Sequence, residues 1–256
     1  MLIQKSIIDR EVSNVIGSPI DQVSWNDAVQ RLSSWGENHE SRVVCICNAH
    51  SVVTAKQDQE FNQVLKHADM STPDGAPVAW MIKKVSGQPQ ARINGPDLML
   101  KYCEHAEKIG QSIYLYGGQE STLNILVDVL KSKYPNLKIA GYLSPPFREL
   151  NSEEKQKIIR DINASGAHTV WVGLGCPKQE KWMHEHKGKI NAVMIGVGAA
   201  FDYHAGTIKR APKWMQNSGL EWFHRLCSEP KRLWKRYLVT NTLFILYAFK
   251  QLAFRK

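Results

Sequence analysis

His168–Asp202 reads HTVWVGLGCPKQEKWMHEHKGKINAVMIGVGAAFD: two short apolar runs, HTVWV and Ala192–Val197 (AVMIGV), each carrying a Gly-x-Gly loop, with a helical stretch from about Pro177 to His186 between them. Two strands joined through a helix need a crossover connection and therefore lie parallel in one sheet. The same unit recurs upstream. Arg42–Cys47 (RVVCIC) precedes a helical pattern over Ser51–His67. Ser112–Tyr116 (SIYLY) ends at Gly117-Gly118 and precedes a helix over Ser121–Lys133, whose Leu123, Leu126, Val127 and Leu130 recur at three- and four-residue spacings. Leu137–Tyr142 is a further strand, and Asn151, with Glu154 three residues later, opens a helix to about Ala164. Strands alternating with helices predict an α/β fold, a doubly wound parallel sheet flanked by helices. Ligands of such sheets sit beyond the carboxyl ends of the strands. Those ends carry Asn48-Ala49-His50, Gly117–Glu120, Gly173–Pro177 and Gly198–Asp202, and three of the four are glycine-bearing loops where backbone amides can approach a phosphate or a sugar. The pattern points to a nucleotide-type ligand.

Composition narrows the class. With 256 residues, 43% of them hydrophobic, and eight Trp, eight Tyr and seven Phe, the chain can bury a substantial core and is not intrinsically disordered. No apolar run reaches the roughly 20 residues that cross a bilayer; the longest candidate, Tyr237–Phe249, is interrupted by Thr240, Asn241 and Thr242. The opening MLIQKSIIDR lacks a secretory apolar region and cleavage site. Five cysteines (Cys45, Cys47, Cys103, Cys176, Cys227) form no Cys-x2-Cys pair, and Cys45 and Cys47 alternate along a strand, so buried thiols in a reducing cytoplasm are expected rather than a metal site.

Charge divides the chain at Gly206. Residues 1–206 hold 22 Lys/Arg and 22 Asp/Glu; residues 207–256 hold 11 Lys/Arg against only Glu221 and Glu229, so the whole surplus of +9 lies there, with nine of the 23 aromatic residues. The expected organisation is a core over 1–206 and a basic, aromatic helical appendage over 207–256 suited to an anionic partner: nucleic acid, a membrane surface or a phosphate-bearing lipid. Removing the appendage is expected to leave a more soluble but nearly inactive protein.

Several chemistries are excluded by motif. GLGCPK and GVGAAF both lack the third glycine of the dinucleotide fingerprint, and there is no P-loop, no Gly-x-Ser-x-Gly elbow and no His-Glu-x-x-His. His184 and His186, two apart on a helix, do not share a ligand face, so His184-Glu185-His186 reads as a solvated helix end. Two motifs remain. Thr72-Pro73-Asp74-Gly75 is either an ordinary Pro-Asp-Gly turn or a stiff turn presenting Asp74 at the mouth of the sheet as a general base. Gly173–Trp182 places a proline in the first turn after a Gly-x-Gly loop, which is either a plain connection or a helix N-terminus with free N–H groups.

The ordered set Asn48, Thr72-Pro-Asp74-Gly, Arg92-Ile-Asn-Gly-Pro-Asp97, Tyr116-Gly-Gly, Gly173-x-Gly-x-Pro-Lys-Gln179-Glu-x-Trp182, Gly196-x-Gly-x-x-Phe-Asp202, Ala211-Pro-x-Trp214, Leu220-Glu-Trp222, Arg225-Leu and Glu229-Pro-x-Arg232 resembles the WecG/TagA/CpsF bacterial glycosyltransferases (glycosyltransferase family 26), over roughly residues 15–240. The resemblance implies a Rossmann-like core with a C-terminal appendage. It also implies inverting transfer of a hexose (N-acetylmannosamine, its uronic acid or glucose type) from a UDP-sugar to a polyprenyl-diphosphate-linked sugar, in surface polysaccharide or exopolysaccharide synthesis. The location implied is the cytoplasmic face of the membrane, with peripheral association and with no metal or other cofactor.

By the same resemblance Asp74 is the base and Arg92 an active-site arginine, unless it forms only a surface ion pair. Asn48 follows a strand where the family has Thr-x-Asn; the threonine position falls on Ile46 or Cys47, leaving His50 or Ser51 as substitutes. Gln179 contacts the donor, Gly117 and Gly118 let amides approach the nucleotide, and Gly173, Gly175 and Pro177 form the donor loop. Asp202 binds ribose or caps a turn. Arg225, Arg232, Lys235 and Arg236, interleaved with Trp222, Phe223, Trp234 and Tyr237, are expected to meet the acceptor diphosphate and the membrane, an arginine fork suiting phosphate oxygens; the alternative is a homo-oligomer interface with a basic rim. Nucleic acid is not an expected partner, because the core has no net charge and no base-stacking motif. The competing functional reading is a nucleotide-sugar- or nucleic-acid-binding protein without turnover.

Overall fold

The computed structural model describes residues 10–254; the opening stretch Met1–Asp9 and the last two tail cations, Arg255 and Lys256, lie outside them. An antiparallel hairpin, β1 (Val12–Val15) and β2 (Ser18–Asp21), leads into α1 (Trp25–Glu37). Then follow β3 (Arg42–Cys47), α2 (Ala49–Gln57), α3 (Gln59–His67), β4 (Met70–Pro73), α4 (Ala76–Ser86), α5 (Gly95–Ile109), β5 (Ser112–Gly117), α6 (Glu120–Lys133), β6 (Lys138–Leu143), α7 (Ser152–Ala164), β7 (Thr169–Gly173), α8 (Lys178–His186), β8 (Val193–Gly196) and α9 (Ala200–Ala205). The tail forms α10 (Lys213–Asn217), α11 (Glu221–Ser228) and α12 (Pro230–Ala253). β3 to β8 pair in parallel in the order β4-β3-β8-β7-β5-β6, the Rossmann-like α/β arrangement expected from the alternation.

Period-two alternation sorts the strand residues into two layers. Val43, Cys45 and Cys47 of β3, Tyr114 and Tyr116 of β5, and Val170 and Val172 of β7 face one layer, against α2, α3 and α8. Val44, Ile46, Ile113, Leu115, Trp171, Val193 and Ile195 face the other, against α1, α5, α6 and α9. Each large apolar side chain so buried contributes roughly 1.5–3 kcal/mol. The chain leaves β3 into α2 on one face and leaves the adjacent β8 toward α9 on the other. A crevice therefore opens between the two loops, where doubly wound sheets take ligands.

Three local expectations are corrected. The helix expected over Ser51–His67 is two helices, because Asp58 ends α2 and its carboxylate then accepts from Phe61 N at 3.0 Å to cap α3. Of the turn expected over Thr72–Gly75, Thr72 and Pro73 instead end strand β4 and the chain turns only at Asp74-Gly75; an edge strand tolerates Pro73 because one side of it needs no donor. His184 and Glu185 are exposed as expected of a solvated helix end, but His186 turns inward, 2% exposed, and stacks on Trp182 at 4.2 Å. The Asn151–Glu154 capping box forms as read.

The basic segment after Gly206 folds back on the core. Phe244 and Ala248 of α12 join the first layer, and Gln251 clamps the hairpin, accepting from Ile16 N at 2.7 Å and donating to Asn14 O at 2.6 Å. Deleting the segment would uncover that layer, so greater solubility is no longer the expected result. No helix among the described residues is long and apolar enough to cross a membrane.

Candidate active site

Asp74 reaches the crevice because its own backbone ends the sheet. Its N–H donates to Cys47 O at 2.8 Å, continuing the β3–β4 ladder one step beyond the strand and setting Asp74 beside Asn48. Gly75, at φ +82°, then turns the chain into α4, a conformation that favours glycine. The resulting cleft, about 260 Å³, is bounded by the loops after β3, β4, β7 and β8 and by the tail. Burial pushes the Asp74 carboxyl up to about 6; Glu221 adds to the push, while Arg92, the Gly75 amide and Arg210 oppose it. A carboxylate that ionises near neutral pH is suited to take a proton from a hydroxyl.

Asn48 lines the same cleft, but its side-chain oxygen accepts from His50 N at 3.0 Å and Ser51 N at 3.2 Å, while Asn48 N donates to Ser51 Oγ at 3.4 Å. Asn48 and Ser51 thus form the capping box of α2. Of the two positions read for the missing threonine, Ile46 faces the cleft and Cys47 is buried in the opposite layer. His50 also lines the cleft, its Nδ1 3.5 Å from both Thr54 Oγ1 and Thr240 Oγ1, and burial and Arg236 lower its pKa to about 4. It is a neutral imidazole at pH 7.

Arg92 both lines the cleft and forms an ion pair. Its Nη2 donates to Glu221 Oε2 at 2.9 Å and its Nη1 to Gln216 O at 3.5 Å. Arg210, which sequence reading passed over, completes the network: it donates to Glu221 Oε1 at 3.1 Å, to both Asp97 oxygens at 2.6 and 3.0 Å, and to Asn94 Oδ1 at 3.1 Å. These pairs hold the Asp97 carboxylate well below the usual range. The Arg-Ile-Asn-Gly-Pro-Asp motif is thereby fastened to the tail.

The donor-side residues divide. Gly175 and Gln179 line the cleft; Gly117, Gly118, Gly173, Pro177 and Asp202 do not. Gly117 and Gly173 answer to packing: a Cβ on Gly117 would lie 2.9 Å from the Gly173 backbone, and one on Gly173 would lie 2.7 Å from the Phe201 ring. Gly118 likewise packs near Phe201, and Pro177 is the residue before α8. Asp202 serves a turn, its carboxylate accepting from Thr207 Oγ1 at 3.3 Å. In the tail, Arg225 and Arg236 line the cleft, Arg225 lying 5.9 Å over the Tyr203 ring. Arg232 pairs with Glu229 at the surface, and Lys235 is exposed. Tyr237, one of the tail aromatics interleaved with the cations, also lines the cleft, as do Tyr203, Thr240 and Asn241. Among the described residues no three His, Cys, Asp or Glu side chains converge as a metal site.

A parallel sheet whose carboxyl ends, together with the tail, gather a carboxylate, guanidinium groups and glycine loops around one crevice defines an α/β protein of the class that takes its ligand there. The sequence profile of the WecG/TagA/CpsF glycosyl transferase family matches residues 13–256. The N-acetylglucosaminyldiphosphoundecaprenol N-acetyl-beta-D-mannosaminyltransferase of Bacillus subtilis (strain 168) is 34% identical over 197 residues, 77% of this chain and 75% of that protein. The chain belongs to the WecG/TagA/CpsF family and is a glycosyltransferase.

Proposed function

We propose that the protein transfers a hexose, of the N-acetylmannosamine type carried in the Bacillus subtilis relative's name, from a UDP-sugar to a polyprenyl-diphosphate-linked saccharide, with inversion and without a metal. The observation that carries the reading is the Asp74 carboxyl, ionising near 6 in a cleft shared with Arg92, Arg225 and Arg236. In one displacement the acceptor hydroxyl oxygen bonds to the anomeric carbon as the bond from that carbon to the diphosphate oxygen breaks. Asp74 takes the hydroxyl proton, and the charge released on UDP is met by guanidinium groups. Arg236 suits that role, and so does Arg225, whose only ion pair among the described residues is a 3.8 Å contact with Glu229, whereas Arg92 is held by Glu221 at 2.9 Å. Gly175, Gln179 and the loop after β8 bound the donor side, supported by their place in the cleft wall.

The setting proposed is the cytoplasmic face of the membrane, in assembly of a surface polysaccharide or exopolysaccharide. Trp234, Leu238, Ile245 and Phe249 lie along one face of α12, each more than half exposed, with Arg232 and Lys235 nearby. Bulk lipid rather than a second copy is proposed to meet that face. The test is a panel of UDP- and GDP-sugars with a short-chain lipid-diphosphate N-acetylglucosamine acceptor, with and without EDTA, and NMR of the product anomer. Expected is acceptor-dependent UDP release from UDP-N-acetylmannosamine, indifferent to EDTA, giving the inverted anomer. Release from no donor, retention of configuration, or loss of activity in EDTA would each refute the corresponding part.

A further inference from the structure

Glu180, on α8, is 1% exposed, and no step proposed above uses it. Its neighbour Gln179 joins two loops with one atom: Oε1 accepts from Gly175 N at 3.1 Å, in the loop after β7, and from Gly198 N at 2.9 Å, in the loop after β8. The amide nitrogen points the other way and donates to Glu180 Oε1 at 2.8 Å. The sheet is shaped to admit this side chain, because a Cβ on Gly196 would lie 3.0 Å from Gln179 Nε2 and 2.9 Å from Met183 Cε. A primary amide is nearly symmetric in shape, so sterics alone do not fix which end faces the loops. Turned over, the Gln179 oxygen would meet the Glu180 oxygen, and its NH2 would meet two backbone N–H groups. The Glu180 acceptor and the two backbone donors together forbid that orientation.

We propose that Glu180 is a positioning residue: through the Gln179 amide it sets the separation of the loops after β7 and β8, and with it the wall of the cleft that receives the nucleotide end of the donor. The consequence for the donor rests on the proposed function; the bracket itself rests on the hydrogen bonds. The Glu180 carboxyl is buried, with the Cys176 thiol within hydrogen-bonding reach of it and Cys47 close enough to feel its charge. Glutamine at this position keeps the accepting oxygen and the volume, whereas leucine keeps only the volume.

The test compares the full-length wild type with Glu180→Leu and Glu180→Gln, reading amide hydrogen exchange at Gly175 and Gly198 by NMR, UDP affinity by calorimetry, and KM for donor and acceptor separately. In Glu180→Leu both amides are expected to exchange about tenfold faster and UDP to bind about tenfold more weakly, the scale of one buried hydrogen bond left unmade. Donor KM should rise in step while acceptor KM stays put, a split that a general loss of folded protein would not produce. Glu180→Gln should restore all of these to near wild type. Unchanged protection in Glu180→Leu, an equal loss in Glu180→Gln, or lost protection with unchanged UDP affinity would each overturn the proposal. If Glu180→Leu does not fold, Gly196→Ala, which drives a methyl into the Gln179 amide, is expected to show the same paired loss, and wild-type exchange there would overturn it. A wild type that binds no UDP counts against the donor reading alone, since exchange at the two amides still decides the bracket.

Discussion

At the scale of the residue, Asp74 makes the sharpest predictions. Asp74→Asn removes the base with little change in volume, so transfer should fall by roughly 10²–10⁴-fold while UDP affinity, read by calorimetry, stays near wild type; near-normal turnover would exclude Asp74 as the base. Because only the ionised form accepts a proton, kcat/KM should fall about tenfold per pH unit below about 6. Stability runs the opposite way. The folded pKa of about 6 lies above the ordinary 3.8, so the stabilisation Asp74 gives is full below about 3.8 and is lost as pH rises through about 6. Asp74→Asn should therefore melt higher than wild type at pH 8, by on the order of 1 kcal/mol after allowance for partial exposure. The gain should vanish at pH 3.5. Gly173 is a packing position: Gly173→Ala drives a methyl into the Phe201 ring and should cost about 1–3 kcal/mol, measured by denaturant unfolding.

At the scale of the element, the junction of α11 with the core is electrostatic. Glu221 at the start of α11 accepts from Arg92 and Arg210 together. Glu221→Gln leaves the partly buried Arg92 without its counter-charge and Arg210 with Asp97 alone, and should cost about 2 kcal/mol, roughly 4–8 °C in a chain of this size. It should also shift the acid limb of the activity profile to lower pH, since Glu221 is one of the charges raising Asp74. A drop in melting temperature with an unmoved pH profile would separate the structural pair from the site. How much of each element was legible depended on the range of the forces that shape it. The strands at Arg42–Cys47 and Ser112–Tyr116 and the cap at Asn151 follow from neighbouring residues and were read directly. The break at Asp58 was missed because the apolar spacing carries on across it. The Arg92–Glu221 pair joins positions 129 apart in the chain, so no local pattern announces it.

At the scale of the whole molecule, α12 has two faces with two tasks. Phe244 and Ala248 belong to the core, while Trp234, Leu238, Ile245 and Phe249 are exposed. The membrane proposal is therefore tested by changing exposed residues rather than by truncation. Leu238→Ser with Phe249→Ser should weaken co-sedimentation with anionic vesicles while leaving the melting temperature within about 1–2 °C, since both side chains already face solvent. Arg232→Gln and Lys235→Gln should each weaken it further, by about 1 kcal/mol per cation removed, and only on anionic lipid. A variant that loses self-association but keeps vesicle binding would assign the apolar face to a second copy.

The sequence by itself determined the alternation of strands and helices, the parallel doubly wound class, the charge break at Gly206 and the motif order of the WecG/TagA/CpsF family. All of these are written in local periodicity and short spacings. Only the tertiary structure decided that Asp74 sits in a shared cleft with Arg92, Arg225 and Arg236, while Arg232 and Lys235 stay outside it. It likewise decided that Gly117 and Gly173 serve packing, and that Gln179 ties two loops under Glu180. The physical reason is common to these cases: each depends on which partners the sheet brings within a few ångströms, on burial, and on the charges that face one another across it.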